Sequence, residues 1–168
     1  MIVRSLQLTD FRNYPQLSLS LDGGVVALVG RNAQGKTNLA EALVVLSTMK
    51  SFRGASNDFV VRNGAESAFV RAELLGEDGN EFLIEIELKR VGRSVAQVNR
   101  KRVVRTRDLL SVLRTTVFSP DDRSLVNGSA SVRRAFIDDS VVARDPSDRK
   151  STRLNSSHVS ESRMPSSA

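Results

Sequence analysis

A chain of 168 residues, with 40% apolar and 26% charged residues, has the length and composition of an ordinary folded domain. It has no cysteine and one histidine, which excludes disulfides, thiolate or multi-histidine metal sites and cysteine nucleophiles. No apolar run approaches the ~20 residues of a membrane-spanning helix. We therefore expect a cytoplasmic protein without membrane contact, and the net charge of +6 favours a polyanionic partner.

The first part of the chain predicts two half-buried strands, one fully covered strand and a helix. Apolar and polar residues alternate over 2–8 and 17–21, on either side of a turn at Asn13–Pro15. The unbroken apolar run Val25–Val29 is typical of a strand covered on both faces. The segment Thr37–Thr48 has leucines at helical spacing and a single charge, which predicts an almost wholly buried helix.

The pattern changes to antiparallel β structure after Gly64. Two alternating runs, Ala68–Leu75 and Phe82–Lys89, flank a five-residue loop and predict a hairpin. A third strand, a short helix, a short strand and a helix capped by Ser129 or Ser131 should follow. Their predicted ranges are Ser94–Asn99, Arg107–Leu113, Thr115–Phe118 and Ser131–Asp139.

A glycine-rich motif lies between the apolar run and the first predicted helix. It follows the pattern G-x-x-x-x-G-K-T and consists of Gly30, Arg31, Asn32, Ala33, Gln34, Gly35, Lys36 and Thr37. The glycines let backbone N–H groups turn inward, towards the positive end of the helix dipole. Lys36 would place a charge at the β- and γ-phosphates, and the Thr37 hydroxyl would ligate Mg²⁺. The motif predicts binding of a nucleoside triphosphate such as ATP; the alternative is a turn that only caps a helix.

A strongly basic segment covers residues 89–107, which include eight lysines and arginines and no carboxylate. Such a surface would meet DNA phosphates, and the absence of interleaved aromatic residues argues against base stacking on single strands. The alternative is a solvated hairpin face that pairs internally with Glu87 or Asp108. The candidate DNA-contacting residues are Arg90, Arg93, Arg100, Lys101, Arg102 and Arg105.

Several stretches of the chain resemble the RecF family, a DNA-repair branch of the ABC-type ATPases related to SMC proteins. These stretches are Leu6–Tyr14, Gly30–Ala42, Ser51–Arg53, Val117–Asp122, Val126–Gly128 and Arg133–Asp138. They occur in the family's order and span essentially all of residues 1–146. The resemblance implies an α/β fold: the N-terminal part of a P-loop NTPase head of the ABC/SMC type, with an antiparallel β arm at about 64–118.

The resemblance also implies a function. Family members are ATP-dependent DNA-binding proteins of recombinational repair and replication-fork restart, linked to the SOS response. They act as nucleotide-gated homodimers on single-stranded, gapped or double-stranded DNA, together with recombination mediator proteins. By this resemblance Asn32 lies near the γ-phosphate, and Arg12 and Asn38 contact the nucleotide. The alternatives are that Asn32 only tolerates left-handed backbone and that Arg12 is a solvated strand end.

The family's signature segment, Walker B carboxylates and helical arm have no counterpart in residues 1–146. Asp121–Asp122 and Asp138–Asp139 follow short apolar runs, but in the family both pairs belong to other motifs. We therefore expect this chain to bind ATP without hydrolysing it, whereas the parent protein would be a weak ATPase. Two alternative functions are a small P-loop phosphotransferase and an inert fragment with an exposed sheet edge.

The composition changes after Pro146, since residues 147–168 are serine-rich and have no hydrophobic period. Back-translation of Asp148–His158 resembles a sequencing-adapter oligonucleotide, and Arg163–Ala168 resembles the far end of that adapter. We interpret residues 147–168 as a non-native tail, with a disordered terminus as the alternative. The natural sequence is then expected to continue beyond Pro146.

Overall fold

The computed structural model describes residues 1–21, 23–119, 122 and 124–144. Its strands are β1 (Ile2–Phe11), β2 (Tyr14–Ser20), β3 (Ser67–Leu75), β4 (Glu81–Lys89), β5 (Val95–Val98) and β6 (Lys101–Arg102). Its helices are α1 (Lys36–Thr48), α2 (Asn57–Val60), α3 (Arg107–Leu110), α4 (Ser124–Asn127) and α5 (Ala130–Arg144). These elements fall into two units, Met1–Val117 and a second unit that begins at Phe118. None of the helices described here has the length and apolar character needed to cross a bilayer.

All six strands form one antiparallel sheet in the order β2-β1-β3-β4-β5-β6. The predicted hairpin is confirmed, because β3 and β4 pair from Ser67–Lys89 to Leu75–Glu81 and enclose the loop 76–80. The predicted β arm is continuous with the N-terminal hairpin, since β1 pairs with β2 on one side and with β3 on the other.

One face of the sheet is apolar and packs against α1. Alternate residues of β1, β3 and β4 are buried there: Leu6, Leu8, Ala68, Val70, Ala72, Leu74, Ile84, Ile86 and Leu88. Helix α1 contributes Val45 and Leu46 to this core, and α3 contributes Leu109. The burial of a single face fixes the strand register, because a slip by one residue would turn the apolar set towards water.

Two predicted strands are absent from the described part of the chain. Val25–Val29 pairs with no described strand, and the side chains of Val25 and Val29 are 100% and 92% exposed. Thr115–Phe118 also has no strand partner; Thr115 Oγ1 instead shares a hydrogen bond of 2.5 Å with Ser47 Oγ of α1. Both strand predictions are therefore wrong for the described residues, because a strand needs a neighbour that completes its backbone hydrogen bonds.

The predicted helices are confirmed with altered bounds. Helix α1 begins one residue earlier than predicted, α3 is shorter, and α5 is longer and follows Ser129 directly. Helices α2 and α4 were not predicted. The tail 147–168 and Asp121 lie outside the described residues, so the interpretations given to them stay predictions.

Candidate functional site

The P-loop, residues 30–37, connects the exposed apolar segment to α1. Its backbone reverses at three residues with positive φ: Gly30 at 152°, Ala33 at 64° and Gly35 at 100°. Gly35 occupies the N-cap position of α1, and no side chain caps the helix there. The first N–H groups of a helix without a side-chain cap can bind an anion.

Gly35 has a left-handed backbone conformation, which favours glycine, and it lies close to two side chains. A Cβ at this position would lie 2.7–2.8 Å from the amide group of Asn13 and the hydroxyl of Tyr14. Asn13 Nδ2 and Tyr14 OH also donate hydrogen bonds to Gln34 O, at 3.3 and 3.4 Å. The turn between β1 and β2 therefore holds the backbone of the P-loop, a role that the sequence analysis did not assign to either residue.

Lys36 and Thr37 are the first two residues of α1, at the end of the loop. Lys36 Nζ donates to Gly30 O and Arg31 O, both at 2.6 Å, so the ammonium group lies within the curve of the loop. Thr37 is exposed in the first turn of α1. The N-terminal end of a helix without a side-chain cap, one ammonium group and an exposed threonine fit a triphosphate with a divalent cation.

The remaining loop residues, Arg31, Asn32, Ala33 and Gln34, are exposed. The left-handed residue among them is Ala33, so the alternative interpretation of Asn32 as a residue that only tolerates left-handed backbone is wrong.

Asn38, in the first turn of α1, links two other parts of the chain. Its Nδ2 donates to Asn13 Oδ1 at 2.8 Å, and its Oδ1 accepts a hydrogen bond of 3.3 Å from Arg53 Nη1. These contacts bring Arg53 next to the N-terminal end of α1, although Arg53 was noted in the sequence only as part of the stretch Ser51–Arg53. The role of Asn38 as a nucleotide contact stays a prediction.

Arg12 is not a solvated strand end. Its Nε and Nη2 donate to the two carboxylate oxygens of Glu41, at 2.8 and 2.5 Å, and its Nη1 donates to Phe59 O at 2.8 Å. The side chains of Arg12 and Glu41 are 15% and 0% exposed, and Ser51 Oγ also donates to Glu41. Every nitrogen of the guanidinium group therefore has a partner in the chain. Its predicted contact with the nucleotide stays a prediction.

Glu41 is a further residue of this site to which the sequence assigned no role. The available signal was its position as the single charge in an otherwise buried helix, because a fully buried carboxylate requires a cationic or hydrogen-bonding partner. Its partner Arg12 is 29 positions away in the sequence, so local patterns could not identify the pair.

The structure divides the candidate DNA-contacting residues into two groups. The guanidinium group of Arg90 donates to four backbone carbonyls between 2.8 and 3.2 Å, those of Asp58, Val61, Arg62 and Ala65. Arg90 therefore joins β4 to the segment around α2, and we remove it from the DNA-contacting set. The exposed group comprises Arg93, Arg100, Lys101, Arg102 and Arg105.

Internal pairing of the basic segment is limited to one ion pair in the described residues. Lys89 Nζ lies 3.8 Å from Glu87 Oε1, and both side chains are partly exposed. The alternative of a hairpin face neutralised by Glu87 or Asp108 therefore applies to Lys89 and not to the exposed group.

The comparisons with known proteins agree with these features. The family model described as the RecF/RecN/SMC N terminal domain matches residues 2–132. The DNA replication and repair protein RecF of Nocardioides sp. is 47% identical over 146 residues, which cover 87% of this chain and 34% of that protein. The chain spans about a third of the length of the curated relatives that it matches.

Solved structures share the fold. A structure of the recombination mediator protein RecF with ATP in the RecFOR pathway has a TM-score of 0.82 and 32% identity, over 87% of this chain and 39% of that chain. A structure concerned with ATP-driven dimerization of SMC ATPases has a TM-score of 0.67 and 23% identity, over 83% of this chain and 99% of that chain; this likeness concerns the fold alone. The predicted P-loop NTPase head of the ABC/SMC type is confirmed.

Proposed function

The chain belongs to the RecF/RecN/SMC N-terminal domain family, and from this premise we propose that it is the nucleotide-binding part of a DNA replication and repair ATPase. The observation that carries the proposal is the position of the Lys36 ammonium group. It lies against the carbonyl groups at the start of the loop, and Gly35 at the end of the loop is the N-cap of α1. The similarity to RecF solved with ATP supports ATP as the nucleotide.

Different groups of this chain would bind the phosphates and the metal ion. Backbone N–H groups of residues 30–37 and the Lys36 ammonium group would bind the phosphates, and Thr37 would ligate Mg²⁺. Bound ATP with Mg²⁺ supplies the charge of the γ-phosphate, and such proteins change conformation when that charge is present or lost. Asn13 and Tyr14 fix the carbonyl of Gln34, so the loop is ordered in advance and less conformational entropy is lost on binding.

We extend the proposal to the longer protein, which would be a cytoplasmic, nucleotide-gated homodimer that binds DNA. It would act in recombinational repair, replication-fork restart and the SOS response, with recombination mediator proteins as partners. The family membership supports this extension. For this chain we propose ATP binding without hydrolysis, because the Walker B carboxylate and the catalytic acid are expected from other segments. The phosphotransferase alternative fits less well, because α1 leads into an antiparallel sheet instead of an arginine-bearing lid.

The replacement Lys36→Ala should weaken ATP binding by about 100-fold or more, since it removes a charge-assisted contact to phosphate. Titration of a fluorescent ATP analogue into the chain measures this. The matched control is Lys50→Ala, because Lys50 is exposed just beyond the other end of α1 and should leave the affinity unchanged.

Equal affinity of Lys36→Ala and the unaltered chain would contradict the proposed site. Phosphate release from ATP, measured on the same samples, should not exceed the Lys36→Ala background. Release well above that background would contradict the proposal of binding without hydrolysis.

A further inference from the structure

Asn38 is the central residue of a chain of hydrogen bonds that ends on the P-loop. Arg53 Nη1 donates to Asn38 Oδ1 at 3.3 Å, and Asn38 Nδ2 donates to Asn13 Oδ1 at 2.8 Å. Asn13 Nδ2 then donates to Gln34 O at 3.3 Å. We call the three side chains of Arg53, Asn38 and Asn13 the polar relay. It connects three segments that are separate in the sequence to one carbonyl group of the P-loop.

The direction of the polar relay is fixed at both of its ends. A guanidinium group has only donors, so Arg53 requires the oxygen of the Asn38 amide. A backbone carbonyl only accepts, so Gln34 O requires the nitrogen of the Asn13 amide. The same orientation of the two amides meets both requirements, and in it Asn38 donates to Asn13. Rotation of either amide by a half-turn would bring two donors or two acceptors together, so the polar relay has one stable direction.

The segment that carries Arg53 is itself held by α1. Arg53 N donates to Ser51 Oγ at 3.1 Å, and Ser51 Oγ donates to the buried carboxylate of Glu41. Glu41 lies in α1 about one turn after Asn38, which is partly buried in the first turn of the same helix. The polar relay therefore starts from a segment that is fixed to α1, and its middle residue belongs to α1.

The end of the polar relay sets the direction of one backbone N–H group. The peptide bond between Gln34 and Gly35 is planar and trans, so its carbonyl and its N–H point in opposite directions. Asn13 holds the carbonyl towards the turn between β1 and β2, and the N–H of Gly35 is thereby directed away from that turn. Gly35 is the N-cap of α1, where backbone N–H groups are available to an anion.

We propose that Asn38 is a positioning residue of the nucleotide site, which acts on the P-loop through Asn13, in place of the nucleotide contact predicted from the sequence. The inference rests on the proposed function, which supplies ATP as the ligand. Both polar atoms of the Asn38 amide have partners within the chain. A loop held in this way loses less conformational entropy when phosphates bind. Tyr14 OH donates to the same Gln34 carbonyl at 3.4 Å, so the loop keeps one contact when the polar relay is broken.

The first test is a double-mutant cycle, in which the affinity of the 168-residue chain for the fluorescent ATP analogue is measured. Asn13→Ala should weaken binding by about fivefold and Asn38→Ala by about threefold, the size expected for one partly exposed hydrogen bond each. If Asn38 acts through Asn13, the double variant should also be about fivefold weaker than the unaltered chain. A loss of about fifteenfold, the product of the two, would mean that Asn38 acts on the nucleotide independently and would overturn the proposal.

Asn57 provides the matched control for a purely structural asparagine. It is also partly buried in the first turn of a helix, α2, and its Nδ2 donates to Lys89 O and Ser94 Oγ, at 3.1 and 3.0 Å. Asn57→Ala should lower the thermal midpoint by about 4 °C and leave the affinity for the ATP analogue unchanged, because its contacts do not involve the P-loop. Equal losses of affinity in Asn57→Ala and Asn38→Ala would show that affinity only follows stability, which contradicts a positioning role.

The second test uses NMR on the chain without nucleotide. The carbonyl carbon of Gln34 and the amide nitrogen of Gly35 belong to one peptide unit, so both signals respond to the hydrogen bond from Asn13. Asn13→Ala and Asn38→Ala should move both signals in the same direction, and Asn38→Ala should move neither signal further once Asn13 is replaced. Signals that stay in place in Asn38→Ala would refute the polar relay.

The two tests separate this inference from the proposed function. If the unaltered chain bound no ATP analogue, the proposed function would be refuted, and the NMR signals would still decide whether Asn38 positions the P-loop. If the unaltered chain and Asn38→Ala bound the analogue equally well, the positioning role alone would be refuted.

Discussion

At the residue scale, the geometry of the candidate site depends on the contact between Arg12 and Glu41. Because both side chains are withdrawn from water, their Coulomb attraction largely offsets the cost of desolvation, and the pair is weak evidence for stability by itself. The effect of the pair is to position the backbone on either side of it. It fixes the end of β1 against α1, and the next residues, Asn13 and Tyr14, then hold the P-loop.

The variant Glu41→Ala should lower the free energy of unfolding by about 3 kcal/mol, because it leaves the guanidinium group of Arg12 largely buried and unpaired. Urea denaturation measures this loss. The control is Glu77→Ala, whose side chain is 94% exposed and pairs with the N-terminal amine, and which should cost less than about 1 kcal/mol. Similar costs for the two variants would contradict the structural importance of the pair.

The β3–β4 loop shows at the element scale how side chains within a turn support a strand register. Gly76 N donates to Asn80 O at 2.7 Å, and Asn80 donates from its backbone N and its Nδ2 to the Asp78 carboxylate, at 3.1 and 2.6 Å. The hydrogen bond from the Asn80 backbone, followed by that from its side chain, lowers the pKa of Asp78 below its ordinary value of 3.8. The charged form of Asp78 therefore favours the folded loop.

A pH dependence follows from this lowered pKa. Since the folded-state pKa of Asp78 lies below its unfolded value, the contribution is present above about pH 3.8 and is lost as the pH falls through the folded-state pKa. Asn80→Ala removes the side-chain donor and keeps the backbone donor, so the pKa should rise part of the way towards 3.8. An NMR titration of the Asp78 carboxyl carbon measures it. Asn63→Ala, in another exposed segment, should not move the titration, and an unmoved titration in Asn80→Ala would contradict the assigned cause.

At the scale of the whole molecule, the fold leaves one apolar segment without a covering partner among the described residues. The run Val25–Val29 is largely exposed and borders a cavity of about 340 Å³ whose lining includes Leu6, Leu39 and Leu43. A contiguous exposed apolar surface of this kind promotes association between copies of a chain. The sheet and α1 keep their own core, because none of the residues 25–29 belongs to it.

Replacing both Val25 and Val29 with threonine should reduce self-association without destabilising the fold. Light scattering over a concentration series should show onset at a concentration about twofold higher, because two exposed apolar side chains become polar. The thermal midpoint should stay within about 1 °C, since these side chains lose no packing. A clear drop in the midpoint would show that the two valines are packed in solution, contrary to the structure.

Local chemistry explains which features could be predicted. The hairpin of β3 and β4 is encoded by alternation around a five-residue turn and is confirmed nearly residue for residue. The helix predicted after the glycine-rich loop is also confirmed, and it begins one residue earlier than predicted. The strand predicted at Val25–Val29 is absent because strand formation depends on a hydrogen-bonding neighbour, which no local pattern specifies.

The sequence by itself determined the loop that would bind the nucleotide, the buried helix behind it and the alternation that orients the sheet. The tertiary structure decided which charges meet. It paired Arg12 with Glu41, committed Arg90 to backbone carbonyls, and brought Lys50 to Arg93 and Arg102. The physical reason is the separation in sequence over which each effect acts. Turn geometry and periodicity act between neighbouring residues, whereas ion pairs and charged surfaces form between side chains that only the folded backbone brings together.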